Sequence, residues 1–423
     1  DLRISIMLRC LFLLPVVLGT NIVFDSVSNL GNSPTHLRED PTDTYSMILN
    51  GKSFVLARGN GSVWTSNDAG KHFVRTPSVA APVPSCPLNL SSRASIGHVG
   101  YLTEPATNFT FNASTVWTAT GTGIHSVPEE GRPVHWVGLP FQTLLFSIES
   151  GGVTALPDGT LIATVVTWPA PSPPSPSPYP TPPGPCCNGT VVVYASTDQG
   201  MTWQFRAVVA DKASVGTEEG PNENNIVTLK DGKTLWLIIR VDGGDGVPDH
   251  PHVPYMVTTS TDGGFTWTKL TSLPPELMSA KPKATVLSPI GALVVSGGRP
   301  ALNLWVSLDG RGETWESYDI PTVHNAIVAA PSDKFCTEFE NATTALGWAQ
   351  SSGYVNTRSQ WMMSCCCSYT TVNAVGDDAG VVCYQRQGFG SGGYRKPIPK
   401  DCAVDFSTTF CLRFQVKSAV DQS

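Results

Sequence analysis

Four side chains in this 423-residue sequence are of types that can do chemistry together: Glu223, Arg240, Arg299 and Tyr369. Glu223 stands seventeen residues ahead of Arg240, separated from it by an apolar stretch, an Asp231-Gly232 turn and a second apolar stretch. A planar guanidinium binds carboxylates through paired, charge-assisted hydrogen bonds, and a tyrosine beside a carboxylate can be turned into a nucleophile. Arg299 lies in Gly297-Gly298-Arg299-Pro300, and the preceding Lys281-Pro282-Lys283 adds positive charge. Tyr369 lies in Ser368-Tyr369-Thr370-Thr371-Val372, ahead of the apolar run Gly380 to Tyr384, with Tyr354 as its fallback. Each also has an ordinary role, since a strand-end Arg is usually solvated, a lone Glu caps a turn, and a Tyr in a Cys-rich strand packs. Asp242, Asp245 and Asp249 form an oxygen-rich loop without the spacing of an EF-hand, and His250 and His252 merely flank a proline there, so the expectation is a solvated loop.

The elements that would position these groups announce themselves through a repeated turn. Ser196 to Trp203 and Ser260 to Trp267 both read S-x-D-x-G-x-T-W. Ser307 to Trp315 repeats the pattern with one extra residue, and Ser66 to Phe73 keeps Ser, Asp and Gly while His72 and Phe73 replace Thr and Trp. Asp accepts backbone N–H groups at a turn, Gly supplies positive φ, and Thr-Trp opens the next strand with an aromatic for burial. The boxes recur at intervals of 130, 64 and 47 residues, each after strand-like apolar residues, which predicts repeated sheets. Their aspartates, Asp68, Asp198, Asp262 and Asp309, read as structural.

A larger unit surrounds each box. Val153 to Ala163, Ile226 to Leu237 and Ala284 to Ser296 each give a strand, a turn and a second strand ahead of a box. Such a unit is what one four-stranded propeller blade looks like in sequence, so the predicted fold class is all-β, a six-bladed propeller. Residues 45–418 form this propeller, with Phe54 to Ala57 as an inner strand of the first blade and a second blade within Thr115 to Leu144. Residues 20–44 read as an extended lead-in. The Pro-rich run within 168–187 reads as a polyproline loop inserted in one blade, since strands resume immediately after it.

Composition bounds the partners. With 41% hydrophobic residues, 39 Gly and 35 Pro, the chain suits a turn-rich β protein, and its net charge of −7 argues against nucleic acid or an anionic membrane surface. Residues 1–19 read as a secretory signal starting at Met7, any residues before it being upstream sequence, and no later stretch reaches membrane-spanning length. Sequons at Asn60, Asn89, Asn108, Asn112, Asn188 and Asn341 agree with a glycosylated protein of the secretory or endolysosomal lumen. Ten of the 11 Cys follow the signal and read as disulfides, because no C-x-x-C pair or His spacing completes a zinc site.

The boxes together with Glu223, Arg240, Arg299 and Tyr369 resemble the sialidases, secreted or lysosomal six-bladed propellers that remove terminal sialic acid. The likeness covers roughly residues 45 to 415 and is strongest from Gly220 to Arg240. It implies Tyr369 as nucleophile, Glu223 as the group that activates it, Arg240 and Arg299 as ligands of the substrate carboxylate, retention of configuration, no cofactor and no metal. Tyr replaces a carboxylate nucleophile in such enzymes because a second negative charge would be repelled by the sugar's own. The chain departs from the pattern in its first blade. Asp43 to Leu49 carries no Arg-Ile-Pro segment, and about twenty residues separate it from the box at Ser66, too few for the loop that holds the acid/base Asp, a group typically worth about a hundredfold to ten-thousandfold in rate. Asp40 and Asp43 are the nearby acids, neither in a matching motif. Two rival readings follow: a degenerate propeller that binds glycans without cleaving them, and an interaction ectodomain of the sorting-receptor type. Partners are expected to be sialylated or other acidic glycans, and the sequence leaves oligomeric state open.

Overall fold

The computed structural model describes residues 22–32, 44–49, 52–59, 62–76, 100–120, 123–147, 152–169, 189–217, 220–241, 253–278, 281–297, 302–334, 370–376, 378–385 and 408–417. Strand β1 (Ile22–Asn32) comes first, followed by β2 (Thr44–Leu49), β3 (Lys52–Gly59), β4 (Ser62–Ser66) and β5 (Val74–Thr76), the last four forming one antiparallel sheet in chain order. Next come β6 (Gly100–Ala106), β7 (Phe109–Thr120), β8 (Gly123–Val137), β9 (Thr143–Ser147), β10 (Val153–Ala155), β11 (Leu161–Pro169), β12 (Thr190–Ser196) and β13 (Thr202–Ala210), joined in a single eight-stranded sheet. The short helix α1 (Lys212–Val215) leads to two further four-stranded sheets. These are β14 (Asn224–Thr228), β15 (Leu235–Ile239), β16 (Met256–Ser260) and β17 (Thr271–Ser272), then β18 (Lys283–Leu287), β19 (Ala292–Gly297), β20 (Asn303–Ser307) and β21 (Glu316–Asp319). Helix α2 (Ile320–Ile327) precedes β22 (Thr370–Ala374), β23 (Ala379–Gln385) and β24 (Thr408–Val416).

The last sheet is completed from the other end of the sequence. Its order is β1-β24-β23-β22, with Ile22 opposite Val416 and Asn29 opposite Phe410. Residues 22–32 are therefore the outer strand of the C-terminal sheet and not the extended lead-in that their polar, turn-rich character predicts. Phe54 to Ala57 belong to β3, which lies between β2 and β4 as the inner strand expected there, while β2 contacts β22 and β8. Strands of successive sheets meet, β2 with β22, β22 with β18, β18 with β14 and β14 with β10, and within the eight-stranded sheet β10 contacts β8, which in turn contacts β2. Strands β11 and β12, which flank residues 170–188, pair directly from Leu161 opposite Ser196 to Thr167 opposite Thr190.

Apolar packing lies between sheets rather than at one centre. Leu237 and Ile239 of β15 pack with Val191 and Val193 of β12, and Trp236 and Ile238 face Val295 and Trp305 of the following sheet. Covering on both faces explains why β11, β12, β15 and β19 read as near-continuous apolar runs without alternation. Trp136 and Trp203 stack at 5.0 Å within the eight-stranded sheet, and Cys383 is bonded to its directly opposed neighbour Cys411. The other cysteines after residue 19 lie outside the described residues.

Each box closes its turn with the same bonds. The serine hydroxyl donates to the aspartate at 2.7 Å in the boxes of Ser66 and Ser196 and at 2.8 Å in those of Ser260 and Ser307. It accepts from the box glycine's N–H, and each tryptophan indole N–H donates to that glycine's carbonyl at 3.0 to 3.1 Å. In the eroded box, His72 Nδ1 stands 2.6 Å from Asp68, where the threonine hydroxyl sits in the boxes of Ser260 and Ser307. An arginine on a neighbouring sheet reaches the carbonyl just before the box glycine in two cases: Arg206 to Gly263, and Arg413, which also pairs with Asp25, to Ala69.

These hydrogen bonds hold the carboxyls below their ordinary range. Burial alone raises Asp68, but the N–H and ring of His72 and the hydroxyl of Ser66 outweigh it and bring its pKa to about 2. For Asp262 the Thr266 hydroxyl and N–H dominate, and Asp198 and Asp309 are lowered too, against the opposing effect of burial. A carboxyl whose folded pKa is depressed stabilises the fold fully above its unfolded value near 3.8 and loses that contribution as pH falls through the folded value. Acid titration followed by circular dichroism should therefore show stability falling from pH ~4 towards pH ~2. A variant with all four aspartates changed to Asn should be less stable at neutral pH and show a flatter decline over that window.

Candidate functional site

Glu223 and Arg240 meet because β14 and β15 form a hairpin with equal arms. Asp231 caps the N–H groups of Lys233 and Thr234, and Gly232 supplies a φ of 68° that closes the turn. Asn224 then faces Ile239, and one step further Arg240 N donates to Glu223 O at 2.8 Å. Directly opposed residues share a face of the hairpin, and Arg240 Nη1 donates to Glu223 Oε2 at 2.8 Å. Both side chains are buried, at 3% and 7% exposure. A buried ion pair is costly to desolvate, so its presence at a sheet end rather than a hydrophobic pair points to a use beyond stability.

Neighbouring sheets meet at the same end. Glu223 Oε2 also accepts from Lys281 N at 2.7 Å, just before β18, and Asn225 Oδ1 accepts from Ala284 N at 3.1 Å. Lys283 is registered with Ser296 at the far end of β19, and Thr370 Oγ1 at the start of β22 donates to Ser296 Oγ at 2.9 Å. On the other side, Gly152 before β10 abuts Asn225 so closely that a Cβ there would stand 2.6 Å from Asn225 Nδ2. The starts of β10, β14, β18 and β22 thus share one rim with the ends of β15 and β19. Asn224 Oδ1 and Thr371 Oγ1, beside that rim, are buried with no hydrogen-bond partner among the described residues.

The boxes lie at the opposite end. In the sheet of β14 the rim row is Asn224, Ile239 and Met256, whereas Thr228, Leu235 and Ser260, where the box opens, form the row at the other extreme. Asp198, Asp262 and Asp309 are consumed by their turns and stand away from Glu223, and Asp68 is bound within its own box. Tyr384, in the run after Tyr369, is fully buried, its hydroxyl 2.8 Å from His324 Nδ1.

Tyr369, Arg299, Tyr354, Asp40, Asp43 and the loop of Asp242 to His252 lie outside the described residues. Their described neighbours Ser296 and Thr370 are the ones joined by a hydrogen bond. Among the sequons, Asn108 is exposed and its Oδ1 accepts from Gly138 N at 2.7 Å, while Asn112 is described in backbone only, and Asn60, Asn89, Asn188 and Asn341 are outside. No three His, Cys, Asp or Glu side chains gather as a metal needs, and no helix is long and apolar enough to cross a membrane, among the described residues. The role of Lys281, exercised through its backbone, has no signature in residue type.

Comparison with known proteins adds the following. Residues 188–343 match the BNR repeat-like domain. No curated protein sequence matches the chain. Among solved structures, the Hadza microbial sialidase Hz136 is 13% identical with a TM-score of 0.42, covering 96% of this chain and 67% of its own. The Trypanosoma rangeli sialidase is 12% identical with a TM-score of 0.44, covering 88% of this chain and 54% of its own. The α-L-arabinofuranosidase Arb93A from Fusarium graminearum is 11% identical with a TM-score of 0.48, covering 94% and 99%. This chain therefore spans about half to two thirds of the length of those two sialidases. At TM-scores below 0.5, such likenesses assign no chemistry. The boxes at Ser196, Ser260 and Ser307 all fall inside 188–343, and in that stretch this chain is similar to the BNR repeat-like proteins.

Proposed function

We propose that this chain is a six-bladed propeller with exo-sialidase-like glycoside hydrolase activity on terminal sialic or related acidic sugars. The succession of contacts among β2, β8, β10, β14, β18 and β22 supports this arrangement, with the four four-stranded sheets supplying one blade each and the eight-stranded sheet two. The observation that carries the activity is the buried Glu223–Arg240 pair, standing at a rim shared by Thr370, next to Tyr369, and Ser296, three residues before Arg299.

In this reading the sugar carboxylate is held by Arg240 and Arg299. A guanidinium carries five N–H donors in a planar fork, so one group can serve two carboxylates at once. Glu223 takes the phenol proton as the Tyr369 oxygen bonds to the anomeric carbon and the bond to the departing alcohol breaks. Water, losing a proton to the group that earlier protonated the alcohol, then displaces the tyrosine, whose oxygen recovers its proton from Glu223, giving net retention. The acid that protonates the leaving alcohol has no assigned owner, with Asp40 and Asp43 the nearest acids in sequence. The chain is proposed to act in the secretory or endolysosomal lumen, carrying glycans at sequons such as Asn108.

The absent Arg-Ile-Pro segment favours a second reading, a propeller that holds acidic glycans without turnover. Incubating the purified mature chain with a fluorogenic sialoside separates the two. Release of the fluorophore is expected, and it should vanish in Tyr369→Phe while the fold is kept. Retention of a sialic-acid analogue without release supports the binding reading, and no interaction with either leaves the interaction-ectodomain alternative.

A further inference from the structure

Three non-glycine residues among those described have positive φ: Ala69 at 57°, Gln199 at 61° and Lys281 at 41°. The first two occupy the same place in two boxes, just before the box glycine, where Gly263 in a third box also has positive φ. Turn chemistry accounts for them. Lys281 belongs to no box, and it precedes Pro282, whose ring presses the residue before it towards extended backbone. A left-handed conformation under those two handicaps persists only where the surroundings over-determine it, and such residues cluster at functional sites. What Lys281 gains is a main-chain N–H aimed at Glu223 Oε2, the same oxygen that accepts from Arg240.

We infer that Lys281 is a positioning residue for Glu223, acting through its left-handed backbone. The inference rests on the functional reading given above, in which Glu223 must be aimed at Tyr369. Arg240 approaches the carboxylate from its own hairpin, and the Lys281 N–H approaches from the next sheet. Two donors from two sheets fix an oxygen that a single ion pair would let swing, and misplacement of a reacting group by about 1 Å costs on the order of a hundredfold in rate. The lysine side chain is itself buried, so the useful comparison is among variants that all lack it and differ in their tolerance of positive φ. Asn and Gly, which tolerate positive φ, should keep the contact, whereas Val should lose it.

The test is a substitution series on the full chain. Lys281→Val should lower kcat by about tenfold to a hundredfold with KM within about threefold, and Lys281→Asn and Lys281→Gly should recover most of that loss. A rise in KM at constant kcat, or Asn and Gly variants as slow as Val, overturns the inference. Hydrogen–deuterium exchange at amide 281 gives a readout independent of turnover. Protection is expected in the wild type and in Lys281→Asn, and loss of protection in Glu223→Ala or, should that chain not fold, in Lys281→Val. An unprotected amide in the wild type overturns the positioning role. Protection that depends on Glu223 in a wild-type chain that hydrolyses no sialoside overturns the enzyme reading and leaves the contact standing.

Discussion

Replacing Arg240 by Ala should destabilise the fold by about 3–5 kcal/mol, because it leaves the Glu223 carboxylate buried without its cation. Denaturant midpoints on the purified variant check this. The cost is one of removing half a pair, not a measure of the pair's net worth. Changing both partners, Glu223→Gln with Arg240→Met, removes both charges, keeps an acceptor for the Lys281 N–H and roughly preserves volume. That double variant should recover most of the stability lost in the single one. Sialoside hydrolysis should respond differently, staying absent in the double variant, since neither a base nor a carboxylate ligand is restored. Full activity in a refolded double variant would show that the pair is a packing device and sink the proposed site.

Removing the Cys383–Cys411 bridge, as Cys383→Ala with Cys411→Ala, should cost about 3.5 kcal/mol on the loop-closure relation for a separation of 28 residues. Both sulfurs are buried between directly paired strands, at 0% and 1% exposure, so the alanines also forfeit packing against Leu30 and Val381. The expected readout is a lower denaturant midpoint, with a smaller shift in the wild type once the bridge is reduced under denaturing conditions, because the thiols keep their packing. A variant as stable as the wild type would mean that the unfolded chain gains little freedom when the bridge is lost.

Features set by neighbouring residues were legible in the sequence. The boxes could be read because their bonds run between residues two to five apart, and the meeting of Glu223 with Arg240 because the Asp231-Gly232 turn has arms of equal length. Apolarity marked a strand flanked on both sides at Phe54 to Ala57. The second strands, such as Leu235 to Ile239, are covered on both faces and carry the apolar runs, while edge strands such as Asn224 to Thr228 and Thr370 to Ala374 hold more polar residues. An apolar stretch therefore marks the second position in a sheet, not the first. The pairing of β1 with β24 was invisible because its partners lie at opposite ends of the sequence, and the Lys281 contact because it is made by a backbone N–H that every residue but proline carries.

The placing of Ile22–Asn32 beside Thr408–Val416 sets a timetable for biosynthesis. A ribosome delivers the earlier of these segments first, and its hydrogen-bonding partner emerges only after every other described strand has been made. Until then the nascent chain holds a strand without its pairing partner, a natural target for chaperones. Oxidation of Cys383 to Cys411 must likewise wait for β24, which carries Cys411, so one event would lock both topology and covalent structure.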